Sequence, residues 1–550
     1  MPPVDTIPTD KPIDSRRIFQ YRKQRGVNLG SWFSLESWLT GSLFEKAAEP
    51  RGSEYDVVSN MSPEDARKML ENHWSNFIND GDWKWMAQHG VNSVRLPIGY
   101  FHFLSGADQG RFSSLLKNTE FEKFAPVYQG AWQYILQGIE KARAHNIGVL
   151  VDLHGAPGGQ NKDGHCGISN SKCSLWHGLH TGKNQRLTIE ILVDLAEALA
   201  GFDNVIGLEL LNEPENNSGL EAFYTKAIAA IRESSVPQAR QLPIYLGDAW
   251  VTKFYADYVG ENTTAGSPLA LDHHVYRCFT PQDHNTSAEE HAQNIDPNGD
   301  GKTARWLQDV SNKAHGSLII GEWSGALNPR SFELSKIQSK LQARTLWSKA
   351  QWMAFERFTA GYYYWTLKKE GGPDPGWCLY TAMEKGSMPP SLDPLQGRRP
   401  DLQKIQGILQ QELKNSYEGH CHYWDSQVGG SKFEHWRYER GFELAAKDAL
   451  QFIQAGSEIG FSHNLGLLRL AAGAPGGAQV HLHAGQHLGG FQGLGHIVHA
   501  AGGQGDHQVL GLGQPGHEHH RDGRSLRIGL EAARHLEAVH ARHQRIQQDD

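Results

Sequence analysis

Cysteine is scarce. Five in 550 residues (Cys166, Cys173, Cys278, Cys378 and Cys421), scattered and without a CxxC pair, exclude a disulfide scaffold; at most Cys166 and Cys173 can close a small loop. Positive charge is also short: 53 Lys plus Arg face 61 Asp plus Glu, a net charge of -8. No sequence-wide basic field exists to hold nucleic acid or an anionic membrane. No run of 18 apolar residues occurs, so membrane insertion is not expected. The first thirty residues lack the apolar core of a signal peptide, which predicts a chain that is cytoplasmic or unconventionally secreted. Between residues 20 and 370 there is no GxGxxG or GxxxxGK[ST] turn for a phosphate. A neutral or weakly polar ligand fits these absences best.

Apolar side chains, by contrast, are ample. Hydrophobic residues make up 39% and aromatics 10%, with 16 Trp, enough to fill a large core. From about residue 20 to 370, short aliphatic runs alternate with longer amphipathic ones. Eight runs read as strands, at 25–30, 91–97, 147–155, 204–214, 243–250, 269–276, 317–323 and 360–367. Several are apolar on both faces, as strands inside a barrel must be. Helices are expected between them, for example Ala131–Ala144, where Trp132, Ile135 and Ile139 recur at helical spacing, and Thr188–Leu199. The pattern predicts an α/β fold, a (β/α)8 barrel, with a C-terminal extension. The layout is an N-terminal arm at 1–19, the barrel at 20–415, an aromatic tail packed on it at 416–461, and a Gly/His-rich extension at 462–550. That last stretch holds 13 of the 29 His and 17 of the 60 Gly, with Phe491 its one large aromatic, too little to bury in a core.

The polar residues of the strand segments gather at their C-terminal ends: Arg95, His154, Asn212 with Glu213, His274 with Tyr276, Glu322 and Trp365. In a parallel barrel those ends open on one face, so scattered positions converge on one cleft. Glu213 and Glu322 each end a strongly apolar strand. A glycosidase needs one protonated carboxyl for the leaving oxygen and one ionised carboxylate across the sugar, with environment separating their pKa values. Asn212 can bond a sugar hydroxyl, Tyr276 and Arg95 can hold Glu322 ionised and aimed, and His154 and His274 can line the floor. A lone buried Arg, His or Tyr is more often a satisfied structural partner; it is the convergence that argues for a site.

The segments GVNLGSWFSLESWLT, VRLPIGY, VDLHGAPGGQNKDGHCG, LELLNEP, LDHHVYRCFTP, GEWSGALNP and GYYYWTLKKEGG resemble glycoside hydrolase family 5 of the cellulase superfamily, in its fungal exo-β-1,3-glucanase branch. The resemblance covers about residues 20 to 461. It implies a retaining hydrolase that releases glucose from β-1,3-glucan, with Glu213 as acid/base and Glu322 as nucleophile, and no cofactor or metal. It further implies that Arg95, His154, Asn212, His274 (rather than His273, by a His-x-Tyr pattern), Tyr276 and Trp365 surround the first sugar, that Glu36 contacts its hydroxyls, and that Phe279 is one side of a clamp on the acceptor. Where the resembling enzymes carry the other aromatic, this chain has Asp163. The family is often extracellular or associated with the cell wall. A β-glucan is the expected partner, and the chain is expected to act as a monomer.

Other readings use the same residues. The machinery suits another β-glucan or a lipid glucoside, and a non-catalytic glycan-binding barrel would keep the aromatics while losing one Glu. The DPNGDGK stretch opens like a calcium loop, but Leu307 stands where a bidentate Glu is needed, so an Asx-rich turn is expected. The run GHEHHRDG is explained by biased composition. Asn60, Asn216, Asn262 and Asn285 begin glycosylation sequons, which matter only in a secretory compartment.

Overall fold

A computed structural model describes residues 13–104, 115–398, 400–428 and 435–471. Eight parallel strands close into a barrel in sequence order: β1 (Gln24–Asn28), β2 (Ser93–Gly99), β3 (Gly148–Gly155), β4 (Val205–Glu209), β5 (Ile244–Gly247), β6 (Leu269–Arg277), β7 (Leu318–Leu327) and β8 (Gly361–Tyr364). Each lies within, or within a few residues of, a segment expected from the apolar runs, and β8 pairs back onto β1. Strands buried on both faces need no polar alternation, which is why the runs were legible. Helix Ala131–Ala144 has the expected bounds and buries Trp132, Ile135 and Ile139. The next helix starts at Thr181, a full seven residues before the expected Thr188, because its first turns are polar; buried Asn184 bonds the Ser174 carbonyl instead of offering an apolar face.

The N-terminal end of the barrel is plugged by the segments that flank it on either side in the chain. Leu150, Ile206, Tyr245, Ile319 and Tyr363 form a second core there, covered by Phe19 and Tyr21 from one side and by Phe452, Phe461 and Leu465 from the other. Arg22 bridges Ile459, and the Gly460 and Phe461 amides donate to the Tyr21 carbonyl at 2.8 and 3.1 Å. Beyond residue 400, helices Leu402–Val428 and Trp436–Gln454 form a hairpin with its own small core, to which Phe442 belongs. Contact of the 416–461 tail with the barrel floor is thus made by Phe452 and Phe461. A further helix, Ser462–Ala471, follows where composition marked the start of the extension, and its Asn464 is buried against Ser317 and the Leu269 carbonyl. Residues 472–550, with the GHEHHRDG run, lie outside the described residues.

Two smaller expectations also have outcomes. Cys166 and Cys173 are free, buried thiols, so no disulfide closes their loop; Cys166 Sγ instead faces the Asn161 carbonyl at 3.8 Å. In DPNGDGK the Asp296 carboxylate accepts from the Asn298 amide at 2.9 Å, an Asx turn, and Leu307 is buried in the helix that follows. Among the described residues no helix is long and apolar enough to cross a membrane.

Candidate active site

Arg95, in the middle of β2, is fully buried and forms the hub of the barrel's open end. Its Nε donates to Glu209 Oε2 at 2.7 Å, one terminal nitrogen to Glu322 Oε1 at 2.9 Å, and the other to Asn212 Oδ1 at 2.8 Å. Asp152 lies 3.1 Å from the guanidinium and Asp272 3.8 Å. A buried guanidinium is tolerated only with such partners, and its planar fork suits several carboxylates at once. Burial, with the charges of Asp152 and Asp272 and against the pull of Arg95, pushes Glu209 well above the usual carboxylate range.

Glu213 follows the Asn212 turn beyond β4 with a left-handed φ of 41°, a strained backbone for a residue with a Cβ. Its Oε1 lies 2.7 Å from His274 Nδ1. Burial would raise its pKa, but the His274 hydrogen bond and the charges of His274, His165 and His154 bring it down to about 2. Glu322 lies in the middle of β7, which runs on to Leu327 instead of ending near the glutamate as the apolar run suggested, and it accepts from the Tyr276 hydroxyl at 2.7 Å and from Arg95. Burial and the Glu213 charge push Glu322 up, and His274, Arg95 and Tyr276 oppose the rise. His274 reaches both carboxylates, 3.5 Å from Glu322, and, although burial favours its neutral form, Glu322 and Asp272 hold it well above the usual imidazole range. Facing oxygens of Glu213 and Glu322 fall within 4.8 Å of each other.

The remaining expected residues surround this pair. His154 donates from Nδ1 to Asp152 at 2.6 Å and is kept neutral, burial lowering it to about 4. Trp365 lies parallel to the His154 ring at 6.1 Å, and a Cβ at Gly30 would approach it to 3.0 Å. Glu36 accepts from Trp38 Nε1 at 2.8 Å; burial lifts it to about 7 despite His165 and Trp38. Phe279 is 66% exposed and joins Tyr276 and Trp377 in an aromatic rim that continues to Trp38. His274, not His273, faces the carboxylates; His273 is taken by Asp248 at 2.6 Å.

Sequence reasoning missed three groups. Asp152, Glu209 and Asp272 sit inside apolar strands, and a charge there is itself a signal, since it must be paired. Trp38, Trp377 and Trp250 lie on loops whose position no periodicity gives; Trp250 borders the cleft beside Glu213 and is 60% exposed. His165 belongs to a short turn, Gly164–Cys166, and its Nε2 lies 3.6 Å from Glu213 Oε2. Two sets, Glu209/Asp272/His274 and Glu213/His274/Glu322, have the spacing to hold a metal ion. Both share His274, and one carboxylate of each, Glu209 or Glu322, already accepts a hydrogen bond from Arg95.

Residues 59–371 match the family model for cellulase (glycosyl hydrolase family 5), and 406–480 match one for the C-terminal domain of glucan 1,3-beta-glucosidase 3. Glucan 1,3-beta-glucosidase 3 of Schizosaccharomyces pombe is 32% identical over 82% of this chain and 90% of its own length. A glycosyl hydrolase of Saccharomyces cerevisiae is 30% identical over 81% of this chain and 85% of its own length. Among solved structures, rutinosidase from Aspergillus niger superposes with a TM-score of 0.50 at 18% identity, covering 68% of this chain and 99% of that one, a likeness of fold.

Proposed function

The chain belongs to glycosyl hydrolase family 5, and from that premise we propose that it removes glucose from the end of β-1,3-glucan by double displacement. The observation that carries the mechanism is the spacing of the two carboxylates, whose facing oxygens lie within 4.8 Å. Retaining glycosidases keep their carboxyl groups about 5 to 5.5 Å apart, whereas inverting ones leave about 6.5 Å or more for a water. Glu322 is the nucleophile: Arg95 and Tyr276 give it only donors, so its lone pairs are aimed and its charge held until it attacks the anomeric carbon. Glu213 gives the proton to the leaving oxygen. Before attack that proton is held by His274 beside Glu213, and attack by Glu322 consumes the negative charge that keeps His274 protonated, which frees the proton to pass by way of Glu213. Glu213 then takes a proton from the water that releases the sugar, with configuration retained.

Asn212, oriented by Arg95, and His154, oriented by Asp152, face the first sugar's hydroxyls, and Trp365 offers an apolar plane to its C–H face. The 1,3 linkage is supported by the names of the relatives, including glucan 1,3-beta-glucosidase 3 of S. pombe. The test is to incubate the protein with laminarin, cellulose-derived and β-1,6-linked oligosaccharides and to follow released sugar by NMR, with Glu322→Gln as control. Glucose appearing first as the β-anomer from laminarin, and abolished by the substitution, is the expected result. Preferential release from another linkage would reassign the substrate, and α-anomer would refute double displacement.

A further inference from the structure

We propose that His165 is a positioning residue for the acid/base Glu213, clamping the carboxylate oxygen that His274 leaves free. The inference rests on the reading of Glu213 given above. His274 holds Oε1 at 2.7 Å, and His165 Nε2 stands over Oε2 at 3.6 Å. The same Nε2 lies 3.7 Å from Asp163, whose side chain is 68% exposed at the rim, so the ring is tethered between the mouth of the cleft and the reacting carboxylate. Nε2 carries a hydrogen whichever state the ring is in. The amide of Asn212 is fixed by Arg95 with its oxygen turned away, so its NH2 meets His165 Nδ1 at 3.4 Å. A neutral ring therefore accepts at Nδ1 and donates from Nε2, and a protonated ring keeps the hydrogen on Nε2.

The turn that carries His165 is built onto the strand end it serves. Fully buried Gln160 donates to the His154 and Asn212 carbonyls at 2.7 and 3.1 Å, and Asn161 donates to the Glu213 carbonyl at 3.0 Å. His165 and Glu213 thus share one hydrogen-bonded frame. That frame matters because the Glu213 backbone sits in a strained left-handed conformation and its side chain borders the cleft. The charged groups facing His165 are Asp163 from its own turn, Glu213 beyond β4 and Glu36 from the loop after β1, with His154 of β3 as the other imidazole.

A residue that acts through the acid reveals itself by leaving group. A sugar alcohol departs only if protonated, whereas a dinitrophenolate departs unaided. For His165→Ala we expect kcat/KM on a β-1,3-linked glucose disaccharide to fall about 10-fold to 100-fold, since acid catalysis supplies about 10²–10⁴ and misplacement forfeits part of it. On 2,4-dinitrophenyl β-glucoside, with kcat/KM reporting the first chemical step, it should fall by less than about 3-fold. His165→Asn should restore part of the disaccharide rate, and Asp163→Asn, a rim change that slackens the tether, should show the same split more weakly. Circular dichroism and the melting temperature check that each variant is folded. Equal losses on both substrates in a folded variant would overturn the proposal in favour of a contact with the first sugar. No loss on either would overturn it as well. A wild-type protein inactive on both substrates would instead refute the hydrolase reading for them, a failure distinguishable from that of His165 alone.

Discussion

Replacing Tyr276 by Phe deletes one hydroxyl, the donor 2.7 Å from Glu322 Oε2, and leaves the ring in its contacts with Phe279 and Trp377. A hydrogen bond to a buried charge contributes about 1.5–3 kcal/mol. Tyr276 favours the ionised form of Glu322, against the burial that raises it, so its loss pushes the carboxyl further up. At 1.36 kcal/mol per pH unit the rise is about 1–2 units. The nucleophile must be ionised to attack, so the acid limb of kcat/KM moves to higher pH by that amount. Well below both limbs the variant is slower by about 10- to 100-fold, and above both the two enzymes converge to the extent that the hydroxyl acts only by holding the charge. The limb belongs to the Glu213–Glu322 pair, because the two groups titrate together. The assay is kcat/KM for an aryl β-glucoside from roughly pH 4 to pH 8, with thermal unfolding to show that the fold is unchanged. A limb that stays put or moves down, or a loss uniform across pH, would refute the assignment of Tyr276 as the donor that holds this charge.

Glu36, lifted by burial to about 7, exchanges a neutral carboxyl for a carboxylate as pH rises through that value, and a carboxylate accepts hydroxyls more strongly. KM for glucosides should therefore fall between about pH 6 and about pH 8, and Glu36→Gln should flatten the trend; a trend that persists in the variant would exclude Glu36 as its origin. Ending the chain after Phe461 instead of Ala471 deletes the buried Leu465 and both hydrogen bonds of Asn464. The cost is about 4–5 kcal/mol, from about 2–3 for the leucine and about 1 for each of the two bonds, so the shorter chain should unfold at clearly lower urea. Equal midpoints would show that this helix does not plug the barrel. Arg95→Met strands Glu209, Asp152 and Glu322 without their shared cation, and removing one partner of a buried pair costs about 3–5 kcal/mol; loss of stability together with activity, read by melting and by kcat, is expected. A variant with wild-type melting would refute Arg95 as their compensating charge.

The contrast between strands and loops accounts for what could be read in advance. Strands such as β3 and β7 are buried on both sides, so their apolar runs stand out, and a polar residue next to such a run, Glu322 or His154, is conspicuous against it. Asp152 is no less conspicuous in VDLHG, but its role depends on Arg95, which comes from the neighbouring strand and meets it only in the closed barrel. His165 stands at no strand end and in no periodic pattern. Its place beside Glu213 is set by Gln160 and Asn161 bonding carbonyls of a segment some fifty residues away. The helix Ser462–Ala471 starts within the Gly- and His-biased stretch, because a single turn presenting Asn464 and Leu465 suffices to dock on a preformed floor.

By itself, then, the sequence determined the eight-fold alternation and the closed parallel sheet it demands, and it singled out the two glutamates beside apolar runs, because burial on both faces and side-chain chemistry are local properties of each segment. Only the tertiary structure decided which charges neutralise one another around Arg95, how His274 and His165 flank Glu213, and which flanking segments seal the floor. Electrostatic energies depend on distance and on exclusion from water, and neither exists until segments far apart in the chain have been packed together.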